Sequence, residues 1–169
     1  MKSTGITRRI DDLGRIVIPK EIRRNLKIKD NEVLEIFIEN ENIILKKYSS
    51  IDDMNQIFEK IIKLLKEETL FNILITNRDR IISTTKQEYL NKEIGIDILE
   101  SIKNKKVVDK KETIELSVNN EINSNCYIKP IINNGDVLGT IVLFGTKSIE
   151  EKDIIKTDLI SKLIINYIE

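Results

Sequence analysis

Apolar and polar residues alternate in several short segments of the N-terminal part of the chain, a pattern typical of β-strands with one buried face. In the first segment, Ile6, Arg8 and Ile10 fall on one face and Thr7 and Arg9 on the other. The strands predicted from this pattern are residues 4–10, 15–18, 33–39 and 43–48. Turn-forming residues separate them at 11–14 and 40–42, and the second of these turns predicts a hairpin.

A short helix is predicted after the second strand. Pro19 suits the first position of a helix, and the pattern indicates an end near Leu26. Ile22 and Leu26, four positions apart, define its buried face. Arg24 points nearly opposite that face and Arg23 lies on its flank, so both side chains can reach out. Four short strands and one helix provide only a thin core. We therefore expect an identical partner chain to complete this unit.

A second helix is predicted over residues 50–69. Ser50 and Asp53 form a capping box at its start. An apolar seam with spacings of three and four residues follows, at Ile51, Met54, Phe58, Ile61 and Leu65. The seam fits two interpretations: a helix that packs on its own domain, or a helix that also joins subunits. Its position between two predicted units favours the second interpretation.

The remaining residues, 70–169, combine segments with the two-residue period of strands and segments with the 3.6-residue period of helices. They predict an α+β fold, with helices flanking an antiparallel sheet. A helix is predicted over residues 94–103, and Asn134-Gly135 is a strong hairpin signal. The strands predicted in this part are residues 71–75, 80–84, 112–118, 125–132 and 137–144.

A final helix is predicted over residues 148–168, opened by a capping box of Ser148 and Glu151. Its apolar residues step by four, at Ile155, Leu159, Leu163 and Tyr167, and are flanked by Ile160, Ile164 and Ile168. This stripe is wide enough to face both a sheet and another helix. We expect the final helix to pair with the helix that follows Ser50.

The residue types exclude several classes of function. The chain has no histidine and a single cysteine, Cys126, so neither imidazole-dependent catalysis nor an internal disulfide is possible. We expect no enzymatic activity, no cofactor and no metal centre. No apolar stretch approaches the roughly 18 to 20 residues of a membrane span, and the first residues lack an apolar signal-peptide region. We therefore expect a cytoplasmic protein without membrane association.

Charge is distributed unevenly, although the formal net charge of the chain is zero. Residues 1–29 carry nine lysines and arginines against three acids, which leaves a local charge of +6. Five of the seven arginines precede residue 30. Because guanidinium groups match phosphates and base edges, this bias predicts recognition of a polyanion by the N-terminal unit. A charged rim on an ordinary domain is the alternative explanation.

The segments STGITRRIDDLGRIVIPKEIRRNLKI and LEIFIENENIILKKY together resemble the N-terminal domain of the AbrB-type transition-state regulators. The resemblance implies a dimeric swapped-hairpin β-barrel, in which two chains interleave their strands and present arginines to duplex DNA. The DNA-contacting residues that it implies are Arg8, Arg15, Arg23 and Arg24. The expected secondary contacts are Lys2, Arg9 and Lys20.

The segments NILITNRDRIIS and IKPIINNGDVLGTIVLFG resemble a GAF-type sensor domain. This resemblance implies a role in assembly and in sensing a small molecule that the sequence does not identify. The order of the two domains resembles that of regulators of late sporulation genes. It implies a sequence-preferring activator and repressor, associated with the nucleoid of the forespore.

Three parts of the chain are therefore expected, each with its own role. Residues 1–49 form the DNA-binding domain and hold a homodimer together, residues 50–69 are the connecting helix, and residues 70–169 form the sensor and oligomerisation domain. We expect a homotetramer to form through the helices at 50–69 and 148–168.

Two other classes of function use related folds. An antitoxin-like DNA-binding autorepressor shares the swapped-hairpin fold, but its toxin-wrapping tail is expected to be disordered, acidic and poor in apolar residues, unlike residues 70–169. A GAF-like enzyme that reduces oxidised methionine needs more than one cysteine. A DNA-binding transcription regulator is therefore the predicted function.

Overall fold

The computed structural model describes residues 4–49, 51 and 54–168 of the chain. The chain divides into two units, the first ending at Tyr48 and the second beginning at Ser49. The first unit contains a two-stranded sheet and the second a five-stranded sheet, and all strand pairs in both are antiparallel.

The first unit contains one short helix and one hairpin. Helix α1 (Lys20–Asn25) follows Pro19, which occupies the N-cap position with a φ of −57°. Strands β1 (Leu34–Glu39) and β2 (Asn42–Lys47) pair in register, and the two residues between them both have positive φ, as a tight hairpin turn requires. The helix and hairpin predictions are confirmed, with a turn one residue shorter than predicted.

Two predictions for this unit are wrong for the single chain. Residues 4–10 and 15–18 form no strand pair, because a strand needs a neighbour to bond and the described residues of this chain offer none at that place. The predicted buried face of α1 is also open, with Ile22 half-buried and Leu26 57% exposed. Between residues 4 and 48, Pro19 alone is buried. The apolar side chains of this unit are therefore mostly uncovered.

The second unit is a five-stranded sheet in the order β4-β3-β7-β6-β5. Its strands are β3 (Asn72–Thr76), β4 (Ile81–Thr84), β5 (Val108–Ser117), β6 (Asn120–Asn133) and β7 (Asp136–Gly145). Successive side chains enter opposite apolar clusters, as the two-residue period of a strand dictates: Ile73 and Ile75 lie in one cluster and Leu74 in the other. The sheet therefore has a core on each face.

Three α-helices among the described residues cover this sheet. Helices α2 (Asn55–Glu68) and α4 (Glu151–Ile168) pack on the face that carries Ile73, whereas α3 (Ile96–Asn104) packs on the face that carries Leu74. The Nζ of Lys156 in α4 donates to the carbonyl oxygen of Glu68 at the end of α2, at 2.7 Å. The expected α+β class, with an antiparallel sheet and flanking helices, is confirmed.

Helix α2 packs on its own domain, as both interpretations of its seam require, and its part in joining subunits stays a prediction. Phe58 and Leu65 are buried as predicted, and Ile62 takes the buried position that the heptad pattern assigns to Ile61. The predicted capping box of Ser50 and Asp53 lies outside the described residues.

The start and orientation of α4 differ from the prediction. The capping box of Ser148 and Glu151 is wrong, because the Asp153 carboxylate accepts the backbone N–H of Glu150 at 3.1 Å and the helix begins at Glu151. Ile160 and Ile164 of α4 face the sheet. Its other apolar side is exposed, at Ile155, Leu159, Leu163 and Tyr167.

Candidate nucleic-acid interface

The turn before α1 is held by the side chain of Asp11. Its Oδ1 accepts the backbone N–H groups of Leu13 at 3.0 Å and Arg15 at 2.8 Å. Across the turn, the N–H of Gly14 donates to the carbonyl of Asp11 at 2.9 Å, and Gly14 has a φ of +75° that favours glycine. The chain thus reverses within five residues and places Arg15 at the end of the turn.

The guanidinium of Arg15 is tethered to the same carboxylate. Its Nε lies 2.8 Å from Asp11 Oδ2, and the Arg15 side chain is 71% exposed. The backbone N–H of Arg15, followed by its guanidinium, lowers the pKa of the Asp11 carboxyl, which is therefore ionised at neutral pH. Arg15 is consequently a charged group that is exposed and also oriented.

Two further arginines lie in the last turn of α1. Arg24 is exposed, whereas Arg23 is half-buried and pairs through Nη1 with Asp30 Oδ1 at 2.8 Å. The Nε of Arg23 is buried without a hydrogen-bond partner among the described residues. Their charges also suit the negative end of the helix dipole. Arg24 thus reaches out as predicted, whereas the side chain of Arg23 is held by Asp30.

Three of the remaining predicted residues, Arg8, Arg9 and Lys20, are exposed. Arg8 donates through Nη1 to the carbonyl of Thr7 at 2.8 Å. Lys2 lies outside the described residues. All the predicted arginines therefore fall in the first unit, distributed over the extended segment, the turn and α1.

The prediction from sequence did not assign Asp11 and Asp30 to the interface, although each one pairs with a predicted arginine. The spacing of Asp11 and Arg15 is a visible signal, but it indicates a contact only once the turn is known. Asp30 lies seven residues after Arg23, a spacing that predicts no contact in a regular element.

Comparison with known proteins relates both units of this chain to known families. The family model described as "Stage V sporulation protein T C-terminal, transcription factor" matches residues 53–163. A relative from Bacillus subtilis (strain 168), "Stage V sporulation protein T", is 39% identical over 152 residues, which cover 86% of this chain and 85% of the relative. The chain belongs to the stage V sporulation protein T family. The prediction of a DNA-binding transcription regulator is confirmed at the level of this family.

The N-terminal unit of this family member is similar to shorter regulators. Over 48 residues it is 60% identical to "Transition state regulatory protein AbrB" of Bacillus subtilis (strain 168), a match that covers 28% of this chain and half of that relative. A family model described as "Antidote-toxin recognition MazE, bacterial antitoxin" matches residues 7–53. The resemblance to AbrB-type regulators is thus confirmed. The antitoxin family model matches the same part of the chain.

The C-terminal unit has a GAF-like fold. It is similar to the crystal structure of the GAF domain/HD domain protein from Geobacter sulfurreducens, with a TM-score of 0.54 and 13% identity over 73% of this chain and 98% of that one. The likeness confirms the predicted fold.

The sheet face under α3 is filled by side chains. Ile94 and Ile98 are fully buried in one apolar cluster with Leu116 and Ile128. Cys126 lies in the same cluster, where burial is the main cause that raises the pKa of its thiol to about 12. A thiol nucleophile needs a lowered pKa, so this environment does not suit thiol chemistry.

No helix within residues 4–49, 51 and 54–168 is both long and apolar enough to cross a membrane.

Proposed function

We propose that this protein regulates transcription by binding duplex DNA through Arg8, Arg15, Arg23 and Arg24 of its first unit. The observation that carries the proposal is the exposed, arginine-bearing turn and helix in the segment that is 60% identical to AbrB. Arg9, Lys20 and Lys2 add attraction to phosphates without reading sequence. The local charge of +6 supports the same assignment.

A second copy of the chain completes the first unit. Ile16, Val17, Ile36, Ile38 and Ile43 are all exposed in the single chain, and residues 4–10 and 15–18 lack a strand partner. An identical chain would supply both a strand partner and apolar cover, and each side chain that becomes fully buried contributes about 1.5–3 kcal/mol. The dimer presents eight of the proposed arginines, four from each chain.

Two such dimers join through the helices at 50–69 and 148–168. The exposed apolar stripe of α4 supports this arrangement, because four large side chains on one helix face water in the single chain. Two DNA-binding modules in one tetramer increase the effective concentration of the second module once the first is bound. The C-terminal units thereby set the spacing of the DNA-binding units.

The remaining assignments extend the family relationship. Residues 1–49 form the DNA-binding domain, residues 50–69 the connecting helix and residues 70–169 the sensor and oligomerisation domain. The genes regulated are those of late sporulation, activated or repressed in the forespore. A small-molecule effector of the GAF-like domain would raise its unfolding temperature, which can be measured against a panel of amino acids and nucleotides.

An antitoxin-like autorepressor is the second candidate, because the MazE family model matches residues 7–53. The fold of the residues after that segment does not fit an antitoxin. An antitoxin tail that wraps a toxin is disordered when free, whereas residues 72–145 of this chain form a sheet with an apolar core on each face. The regulator is therefore the function that the two units support together.

The dependence of DNA binding on salt tests the proposal. If a dimer neutralises about 6 to 8 phosphates, affinity for a labelled duplex falls by roughly three to four orders of magnitude between 50 and 200 mM salt. Arg24→Ala removes two charges per dimer and reduces the slope of log affinity against log salt by about 2. Its unfolding temperature stays unchanged, because the side chain is exposed.

Lys147→Ala is the matched control, since it removes an exposed positive charge from the second unit. A slope near zero for the wild type, or equal slopes for the Arg24→Ala and Lys147→Ala variants, would contradict the proposed interface.

A further inference from the structure

The two carboxylate oxygens of Asp11 have separate partners. Oδ1 accepts the backbone N–H groups of Leu13 and Arg15 and so shapes the turn. Oδ2 accepts the Nε–H of Arg15 at 2.8 Å and so holds the side chain. One residue therefore determines both the backbone at Arg15 and the direction of its guanidinium.

The tether leaves the outer part of the guanidinium accessible. Nε carries one of the five N–H donors of an arginine and lies on the side of the chain stem, so the four donors on Nη1 and Nη2 remain on the outer edge. The Arg15 side chain is 71% exposed. An arginine held in this way loses less side-chain freedom when it meets DNA than an arginine that moves freely in solvent.

We propose that Asp11 is a positioning residue for DNA recognition, which orients Arg15 for contact with the duplex before binding. The inference rests on the proposed function, because it assigns a role to Asp11 only through a DNA-contacting Arg15. It also predicts that Asp11 has two opposite effects on DNA binding. Asp11 repels any polyanion by its charge, yet favours the correct sequence by holding Arg15.

These two effects can be separated by substitutions that preserve the turn. In Asp11→Asn the side-chain oxygen still accepts the N–H groups of Leu13 and Arg15, because asparagine supports the same turn as aspartate. The amide nitrogen in place of Oδ2 is a donor and cannot accept the Arg15 Nε–H. Asp12→Asn is the matched control, since it removes the same charge from the exposed neighbouring residue.

The experiment measures the binding of the full-length protein to two labelled duplexes by fluorescence anisotropy. One duplex is selected from a random pool with the wild-type protein, and the other is its shuffled counterpart of equal composition. The Asp12→Asn variant binds both duplexes more tightly by the same factor, because it only removes a repulsive charge. The Asp11→Asn variant also binds the shuffled duplex more tightly, but its ratio of selected to shuffled affinity falls by about fivefold or more.

A double-mutant cycle that combines Asp11→Asn with Arg15→Ala shows whether Asp11 acts through Arg15. In the Arg15→Ala background, Asp11→Asn leaves the affinity ratio unchanged, because the group that it positions is gone. Equal ratios for Asp11→Asn and Asp12→Asn, with Arg15→Ala still weakening binding, would overturn the positioning role and leave the proposed function standing. If Arg15→Ala changes neither affinity nor ratio, Arg15 is not a contact, and both the positioning role of Asp11 and the place of Arg15 in the proposed interface are refuted. Equal unfolding temperatures for all the variants exclude unfolding as the cause.

Discussion

Replacing Leu159 and Leu163 by aspartate tests whether α4 joins two dimers. Both leucines lie on the exposed side of the helix, at 59% and 53% exposure, whereas Ile160 and Ile164 on the other side fill the core of the sheet. The double substitution therefore changes the proposed interface and leaves the interior of the unit intact.

The expected loss follows from the exposed area of the leucines. Full burial of a leucine side chain contributes about 1.5–3 kcal/mol, so covering the exposed half contributes about 1–1.5 kcal/mol. Two leucines from each of two facing helices contribute about 4–6 kcal/mol, equivalent to about a 10³- to 10⁴-fold change in the dissociation constant. Four aspartates in a shared interface add mutual repulsion to this loss.

Light scattering coupled to size-exclusion chromatography measures the outcome. We expect the wild-type protein to have the mass of a tetramer, and the L159D/L163D variant to have the mass of a dimer held by its first units. Leu70→Asp is the control, because Leu70 is 75% exposed and lies outside α4. A tetrameric mass for the double variant at low micromolar concentration, with an unchanged unfolding temperature, would refute the proposed role of the stripe.

Two further predictions concern the C-terminal unit. A Cβ added at Gly139 would lie 1.8 Å from the carbonyl oxygen of Thr76, so Gly139→Ala should lower the free energy of unfolding by about 1–3 kcal/mol in urea titration. Gly145→Ala is the milder control, since its Cβ meets the Phe71 ring at 3.1 Å, and equal losses for the two variants would disprove the close approach. The pKa of Cys126 is raised from 9.0 to about 12, so unfolding releases a proton above pH 9 and its free energy should fall as pH rises from 9 towards 12. Cys126→Ala should lose this part of the pH dependence, and an identical pH profile in the variant would show that the thiol does not contribute.

The local pattern of apolar residues and the turn-forming residues were sufficient to predict most helices and strands of the second unit. The continuous apolar run from Ile73 to Ile75 fits the strand β3, because neighbouring side chains of a strand point to opposite faces and both faces here are covered. Asn134 and Gly135 predict the turn between β6 and β7, and both residues have the positive φ that this turn requires. Such features depend on residues close in the chain, which is why sequence alone predicts them.

The first unit shows where the pattern is correct but incomplete. Alternation marks residues 4–10 as a strand, yet a strand exists only when its N–H and C=O groups meet a neighbour, and the single chain offers none there. Leu26 and Ile22 likewise form an apolar face on α1 that is only partly covered, with Leu26 exposed and Ile22 half-buried. The sequence indicates which surfaces must be covered, whereas a second chain is proposed to cover them.

The arginines of the candidate interface could be found from charge and resemblance, but their environments could not. In a helix, residues four apart face each other because of its 3.6-residue period. Asp11 and Arg15 meet for a different reason, since Gly14 turns the chain and brings their side chains across the turn. Arg23 and Asp30 meet only because the chain folds back after α1.

By itself, the sequence determined the class of fold, the position of most helices and strands, and the N-terminal cluster of arginines, because these depend on residue type and spacing. Only the tertiary structure decided which side of α4 faces the sheet, since Leu159 and Ile160 are equally apolar neighbours. It also decided that Arg15 and Arg23 are tethered while Arg24 is exposed. Hydrophobicity ranks residues for burial, whereas contacts between side chains depend on the path of the backbone that brings them together.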